Sequence, residues 1–373
     1  MRVVLVGEKY STNLGDGVIF QTVRAMVKSF VPKAVLYDLD ISGRITYDDN
    51  IEWLLSSYQR LAGNLVSVDH ARALLVRRRL LQLIRDNRQI DAIIFVGGQL
   101  FMDYFTPTIY ELSKVANKAG IAVIFNACGV GAMSHQSVRQ LKKALGLPCV
   151  RAVSIRDGDV SQVSNIFSSC RLKPDVVTDP VVELADYVTT NFSRPKHQKL
   201  GINIMSPWVS WRDHPEEGNA YTKQLLRNIL AFCKDHGISW EIYSNGGSDD
   251  NGYISGMCQQ MNIDPKHIAD FPHNPDDLVR CIAGYSHIIG FRMHTHIIAH
   301  ALGIPTIGFL WDEKLRHYAE RTHQVSQFLY MKESVSANIA NQLTKLMARH
   351  TVSVEIDSTI SSSQFIKRSL DLV

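Results

Sequence analysis

Much of what would mark this 373-residue chain for a specialised setting is missing. Its six cysteines (Cys128, Cys149, Cys170, Cys233, Cys258 and Cys281) are scattered, with no C-x-x-C pair. That argues against a disulfide framework or a cysteine-based zinc site and fits a reducing compartment. No apolar run approaches the ~20 residues that span a bilayer. The N-terminal run Val3–Val6 is shorter than the ~7–15 residues of a signal-peptide core. It reads as a first strand, and the protein is expected in the cytoplasm. An excess of one charge is also lacking, since 40 basic against 36 acidic residues leave +4, too little to argue for nucleic acid. There is no G-x-G-x-x-G dinucleotide fingerprint, no H-E-x-x-H, and no low-complexity or short-period repeat.

What is present is an ordinary globular composition, 45% hydrophobic and 20% charged, in a chain long enough for two cores. Short β-branched runs alternate with amphipathic stretches: Val3–Val6, Ala34–Tyr37, Ala92–Val96, Ala122–Asn126 and Ala152–Ile155 as strands, with Asn13–Phe30, Pro107–Ala119 and Ser137–Leu145 as helices. Such alternation implies a parallel sheet with helices on both faces. The polar, proline-containing segment Thr189–Lys199 reads as a linker, after which the pattern restarts. The second half holds strands at Leu200–Met205, Ser239–Tyr243 and His287–Gly290, and helices at Tyr221–His236 and Pro275–Ala283. The expected layout is an α/β domain over residues 1–190, a second over 197–335 and a helical tail over 336–373, with a site in the cleft between the halves.

The densest chemistry lies in Ile288–Lys314. An apolar strand leads into Arg292, His294, His296 and His300 at a helix start; a Gly-Ile-Pro turn and a second strand follow, ending in Trp311-Asp312-Glu313-Lys314. Open α/β sheets bind ligands at the carboxyl ends of strands, and helix N-termini favour anions. Arg292 and His294 there suggest an anionic substrate with a proton donor beside it. The pattern H-x-H-x3-H also raises zinc, but the alanines flanking His300 favour a hydrogen-bonded core histidine, and no metal site is assigned.

Other strand ends carry weaker signals. Asn13-Leu14-Gly15-Asp16 opens a helix after the first strand, as a cap or as a close backbone approach to a ligand. Gly97-Gly98 ends a buried strand, as a tight turn or a ligand seat, and Asp103 caps the next helix or accepts from a substrate hydroxyl. Arg156 follows another strand, offering a fork for carboxylate or phosphate, or a surface pair with Asp157 or Asp159. Along Ala71–Arg88, Arg77, Arg78, Arg85 and Arg88 share one helical arc with Leu74 and Leu81 between them, while Arg72 and Arg79 fall near the apolar side. This face is either solvated or a peripheral contact with an anionic membrane.

Together, Asn13-Leu14-Gly15-Asp16, Gly97-Gly98 before Leu100-Phe101, Ser154-Ile155-Arg156-Asp157, Asp179-Pro180-Val181 and Arg292-x-His294 with Gly303-Ile304-Pro305 and Lys314 resemble the polysaccharide pyruvyl transferase family over roughly residues 1–330. The resemblance implies a glycosyltransferase-B-like fold of two Rossmann-like domains, acceptor on the N-terminal side and donor on the C-terminal side. It implies transfer of pyruvyl from phosphoenolpyruvate to a sugar of a surface polysaccharide or its lipid-linked precursor, giving a cyclic ketal without metal or other cofactor. By resemblance, Arg292 and Arg156 hold the donor and His294 is the acid; Asn13, Asp16, Gly97, Gly98, Asp103 and Lys314 bind substrate. Gln99 stands where the family often has Gly or Ser, and His296 and His300 lie outside the pattern. A nucleotide-sugar glycosyltransferase, a non-catalytic glycan-binding or assembly protein and a metal enzyme are the alternatives.

Overall fold

The computed structural model describes residues 1–61, 67–87, 89–158, 160–168, 170–188, 195, 197–357 and 360–373. Two compact units emerge. The first comprises Met1–Ser11, Ile19–Glu183 and the C-terminal helix Ser362–Leu370; the second comprises Thr12–Val18 and Leu184–Asp357.

The first unit is a parallel sheet in the order β2-β1-β3-β5-β6-β7, with β4 also paired to β5. The strands are β1 (Arg2–Gly7), β2 (Val35–Asp40), β3 (Ala92–Phe95), β4 (Gly98–Phe101), β5 (Ala122–Val130), β6 (Val150–Asp157) and β7 (Asp175–Val176). Strands covered by helices on both faces are apolar throughout rather than alternating. Accordingly Val3–Val6, Ala92–Phe95 and the whole of β5 are buried. The helix His135–Leu145 begins where the sequence supplies a cap: the Ser134 hydroxyl accepts from the Ser137 N–H.

The second unit is a parallel sheet in the order β12-β11-β10-β8-β9. Its strands are β8 (Lys199–Asn203), β9 (Ser239–Tyr243), β10 (His287–Gly290), β11 (Thr306–Leu310) and β12 (Phe328–Tyr330). The helix Pro215–His236 closes with left-handed Gly237, as its sequence predicts.

One expectation changes, and two elements are absent from the sequence reading. The separate tail over 336–373 does not form. Ile339, Leu343, Leu346 and Met347 join the second core, while Phe365, Ile366 and Leu370 are buried in the first unit. Apolar residues at helical spacing seek a core, and here they find two different ones. The strand β4 was concealed by the preceding glycines, yet the chain resumes pairing with β5 at Gly98↔Cys128 and Phe101↔Val130. The helix Ser248–Gln260 was also unrecognised, because its polar, glycine-containing sequence has little apolar periodicity. The linker Thr189–Lys199 falls mostly outside the described residues, its last residue opening β8. Among the described residues no helix is long and apolar enough to cross a membrane.

Candidate active site at the second sheet

In the second unit the chain leaves β8 for β9 on one side and returns to β10 on the other. The order therefore reverses between β8 and β10, where open sheets bind ligands outside the strand ends. Asn203, last residue of β8, pairs with Gly290, last residue of β10. Two residues on stands Arg292, the N-cap of the helix Met293–Ala301.

A buried network fixes this turn. The Arg292 N–H donates to Asn203 Oδ1 (3.0 Å), and Asn203 Nδ2 donates to Asn245 Oδ1 (3.0 Å). Thr295 Oγ1 donates to the same Asn245 oxygen (2.6 Å). Asn203, Asn245 and Thr295 are almost wholly buried, so each hydrogen bond is costly to lose. The Arg292 side chain is pinned separately. Its Nε and Nη2 both lie 2.8 Å from Asp250 Oδ2, while Asp250 Oδ1 accepts from the Ser206 N–H at 2.9 Å. Asp250 is 1% exposed, whereas the Arg292 side chain keeps 20% exposure. Its Nη1 group makes no hydrogen bond among the described residues. A charged fork is thus held rigidly on one side and left open on the other, as carboxylate or phosphate recognition requires.

His294 lies in the first turn of the same helix and is buried. The segment Thr12–Val18 packs beside it. The Leu14 N–H donates to the Asn245 carbonyl (3.0 Å), the Gly247 N–H donates to the Thr12 carbonyl (2.7 Å), and Asn13 forms an antiparallel bridge with Gly246. Asn13 Nδ2 donates to Asp16 Oδ2 at 3.1 Å. A Cβ on Gly15 would stand 2.4 Å from His294 Nδ1, so only glycine permits this approach. The fold therefore brings Asn13, Asp16, Arg292 and His294 into one neighbourhood, although the first two are nearly 280 residues from the others. Lys314 follows β11 in the helix Glu313–Arg321; it is half-buried and makes no hydrogen bond or ion pair among the described residues.

His296 and His300 have other work. The ring of His296 donates through Nε2 to the Gly290 carbonyl (3.1 Å). That of His300 lies between Tyr318 Oη (2.7 Å from Nδ1) and Thr306 Oγ1 (3.0 Å from Nε2). Burial lowers them to about 4 and about 3, holding both rings neutral. These are scaffold histidines tying the helix to β10 and β11. Among the described residues no three His, Cys, Asp or Glu side chains are grouped to hold a metal ion.

The first unit treats its predicted residues differently. Gly97 and Gly98 have φ of 110° and 88°, and a Cβ on Gly97 would lie 3.0 Å from the Asn126 carbonyl oxygen. Here glycine serves the turn and its contact with β5. The Asp103 carboxylate accepts from the Ser134 N–H and hydroxyl, both at 2.9 Å, tying the loop after β4 to the N-cap of the helix His135–Leu145; it does not cap the next helix, Thr106–Ala119, whose N-cap is Phe105. The expectation for Arg156 changes most. Its guanidinium is 4% exposed and is bonded to Asp179 and, at 3.1 Å, to Asp157. Asp179 Oδ1 also accepts from the Val181 N–H at 2.9 Å. The two motifs that carry Arg156 and Asp179 are therefore halves of one buried ion pair. Asp159, the other partner considered from sequence, lies outside the described residues.

Sequence reasoning passed over Asn203, Asn245 and Asp250. Asn203 ends a strand and Asn245 precedes Gly246-Gly247 after another, the same signal that drew attention elsewhere. Nothing in the local sequence distinguishes Asp250 from its neighbour Asp249.

A sequence model of the family described as "Polysaccharide pyruvyl transferase" matches residues 13–313. The chain belongs to the polysaccharide pyruvyl transferase family. The matched stretch begins at Asn13, includes Arg292-x-His294 and ends one residue before Lys314. Family membership makes the protein a transferase. No curated protein matches the chain by sequence. Among solved structures it is similar to the UDP-GlcNAc 2-epimerase of Methanocaldococcus jannaschii, with TM-score 0.61, 11% identity and 100% of both chains covered. It is similar also to Staphylococcus aureus MnaA solved with UDP (TM-score 0.57, 10% identity, 100% of this chain and 97% of that one). The enzyme of Neisseria meningitidis bound to UDP-GlcNAc is a third (TM-score 0.55, 14% identity, 100% of both chains). At such identities the likeness is one of fold, that of two Rossmann-like units of glycosyltransferase-B type.

Proposed function

We propose that this protein transfers the pyruvyl group of phosphoenolpyruvate to two hydroxyls of a saccharide, forming a cyclic ketal. The acceptor belongs to a surface polysaccharide or its lipid-linked precursor. The observation that carries the reading is Arg292, held by buried Asp250 with Nη1 open, beside His294 at the reversal of the second sheet. Phosphoenolpyruvate presents a carboxylate and a phosphate close together. Arg292 takes one and Lys314, a cation without an anion partner among the described residues, takes the other. Arg156, buried against Asp179, positions the loops of the first unit rather than touching the donor.

His294 protonates the methylene carbon, and the positive charge that develops at C2 attracts the first sugar hydroxyl. The C2–O bond to phosphate then breaks and the second hydroxyl closes the ring on C2. One hydroxyl proton returns to His294 and the other leaves with phosphate, so the imidazole is regenerated. Asn13 and Asp16 orient the hydroxyls. The scheme needs neither metal nor nucleotide.

The test uses acceptor glycan from cells lacking the gene. Protein, phosphoenolpyruvate and glycan should release phosphate and yield a product heavier by one pyruvate less one water. Alanine at Arg292 or His294 should abolish this while leaving the protein folded; full activity in both variants sinks the assignment. Turnover of nucleotide sugars in place of phosphoenolpyruvate would favour a glycosyltransferase instead.

A further inference from the structure

The first unit carries a surface that its chemistry does not use. The helix Val68–Asp86 is anchored inward by Val76 and Leu80, both fully buried. The two arginines that disturbed its pattern in sequence are turned in and paired. Arg72 bonds Asp69 and lies 3.5 Å over the Tyr104 ring, and Arg79 donates to the Gly43 carbonyl at 2.6 Å. With these removed, the outer face carries a stripe of leucines and arginines beside exposed Gln82 and Asp86. Leu74, Arg78, Leu81 and Arg85 follow at i, i+4, i+7 and i+11 along one exposed stripe, with Arg77 at its edge. Leu74 is 40% and Leu81 45% exposed, and the Arg85 side chain 77%. Arg78 makes no ion pair among the described residues; Arg77 stands 3.6 Å from Glu111, and Arg85 makes only a loose 3.8 Å contact with Asp86. The neighbouring helix Ile51–Leu61 packs on Ala71 through Ile51 and Leu55 and exposes Trp53 (65%) and Leu54 (48%). Arg88, which the sequence places on the same arc, lies outside the described residues.

We propose that this face docks on an anionic lipid bilayer. Exposed leucines alternating with arginines, with exposed Trp53 on the adjoining helix, match an interface that is apolar beneath and negative above. Arginine side chains reach the headgroups while the leucines enter the acyl boundary. Nucleic acid fits less well, because it would leave the leucines in water and the net charge is only +4. The docking does not depend on the transfer chemistry, and the test contains neither donor nor acceptor.

The purified protein is sedimented with vesicles of phosphatidylcholine, alone or mixed with phosphatidylglycerol. It should bind the anionic vesicles only, and more weakly as salt rises. Each arginine removed should weaken binding about five-fold, so Arg78→Gln with Arg85→Gln should lose roughly twenty- to thirty-fold. Trp53→Ser with Leu81→Ser should weaken binding several-fold at constant charge. All four positions are surface-exposed, so thermal unfolding should be unchanged and shows that each variant is folded. Equal binding to neutral vesicles, or full binding by either double variant, overturns the proposal. So does retention by a soluble polyanion or acidic protein with no retention by anionic vesicles.

Discussion

Replacing Gly15 by alanine tests the junction of the N-terminal segment with the proposed acid. Gly15 is the second residue of the helix Leu14–Phe30, where alanine is ordinarily the better helix former by up to ~1 kcal/mol. Here the added Cβ would stand 2.4 Å from His294 Nδ1 and 2.5 Å from both Cβ and Cγ. Carbon contacts are comfortable at ~3.5 Å, so about 1 Å of displacement is needed. Turning the imidazole does not supply it, because the His294 Cβ is among the clashing atoms; one backbone segment must shift. Overpacking of this kind costs ~1–3 kcal/mol, leaving a net loss on the order of 1 kcal/mol after the helical gain. A 1 Å error in a catalytic group lowers turnover roughly 100-fold. The expected outcome is a modestly lower melting temperature together with kcat down by about two orders of magnitude, read as phosphate release from phosphoenolpyruvate with acceptor glycan. A variant that is more stable and fully active would mean that Gly15 and His294 do not meet, and the site built on their contact would be wrong.

Three further outcomes are expected. Asp250→Asn keeps an acceptor for the Ser206 N–H but loosens Arg292, so KM for phosphoenolpyruvate should rise about ten-fold with kcat little changed; an unchanged KM would remove Asp250 from the site. Arg156→Met leaves Asp157 and Asp179 uncompensated and should cost ~3–5 kcal/mol, visible in denaturant unfolding; normal stability with lost donor binding would restore Arg156 to the donor site. Acidification should also destabilise the fold. With His296 and His300 lowered to about 4 and about 3, the unfolded chain binds more protons than the native one below the ordinary histidine value of 6.5. Stability is then complete above pH 6.5 and falls toward pH 4 by up to about 1.4 kcal/mol per pH unit for each ring. Melting temperatures between pH 7 and 4 should show this slope, and a smaller one in His300→Gln; a rise on acidification would contradict it.

Much of the fold was legible because parallel strands buried on both faces leave a run that few other structures tolerate. Val3–Val6, Ala92–Phe95 and His287–Gly290 are such runs, and each proved a strand. Polar elements were not: Ser248–Gln260 escaped notice because its place is set by the loop after β9 and by Asp250, which lack a periodic signature. In the site, Arg292-x-His294 stood out from residue types at a strand end. Their relation to Asn13–Asp16 did not, because sequence carries no distance between segments so far apart.

By itself, then, the sequence determined the class of fold, which follows from local hydrophobic pattern, and the family, through its motifs; it also singled out Ile288–Lys314 as the candidate site from residue types at strand ends. Only the tertiary structure decided which arginine is open. Arg292 follows β10 and Arg156 lies at the carboxyl end of β6, and both meet buried aspartates. One keeps a donor group outward while the other is enclosed, a difference set by packing and by partners distant in the chain. The same holds for the histidines: three occur within seven residues, and hydrogen bonds to Gly290, Thr306 and Tyr318 make two of them scaffold.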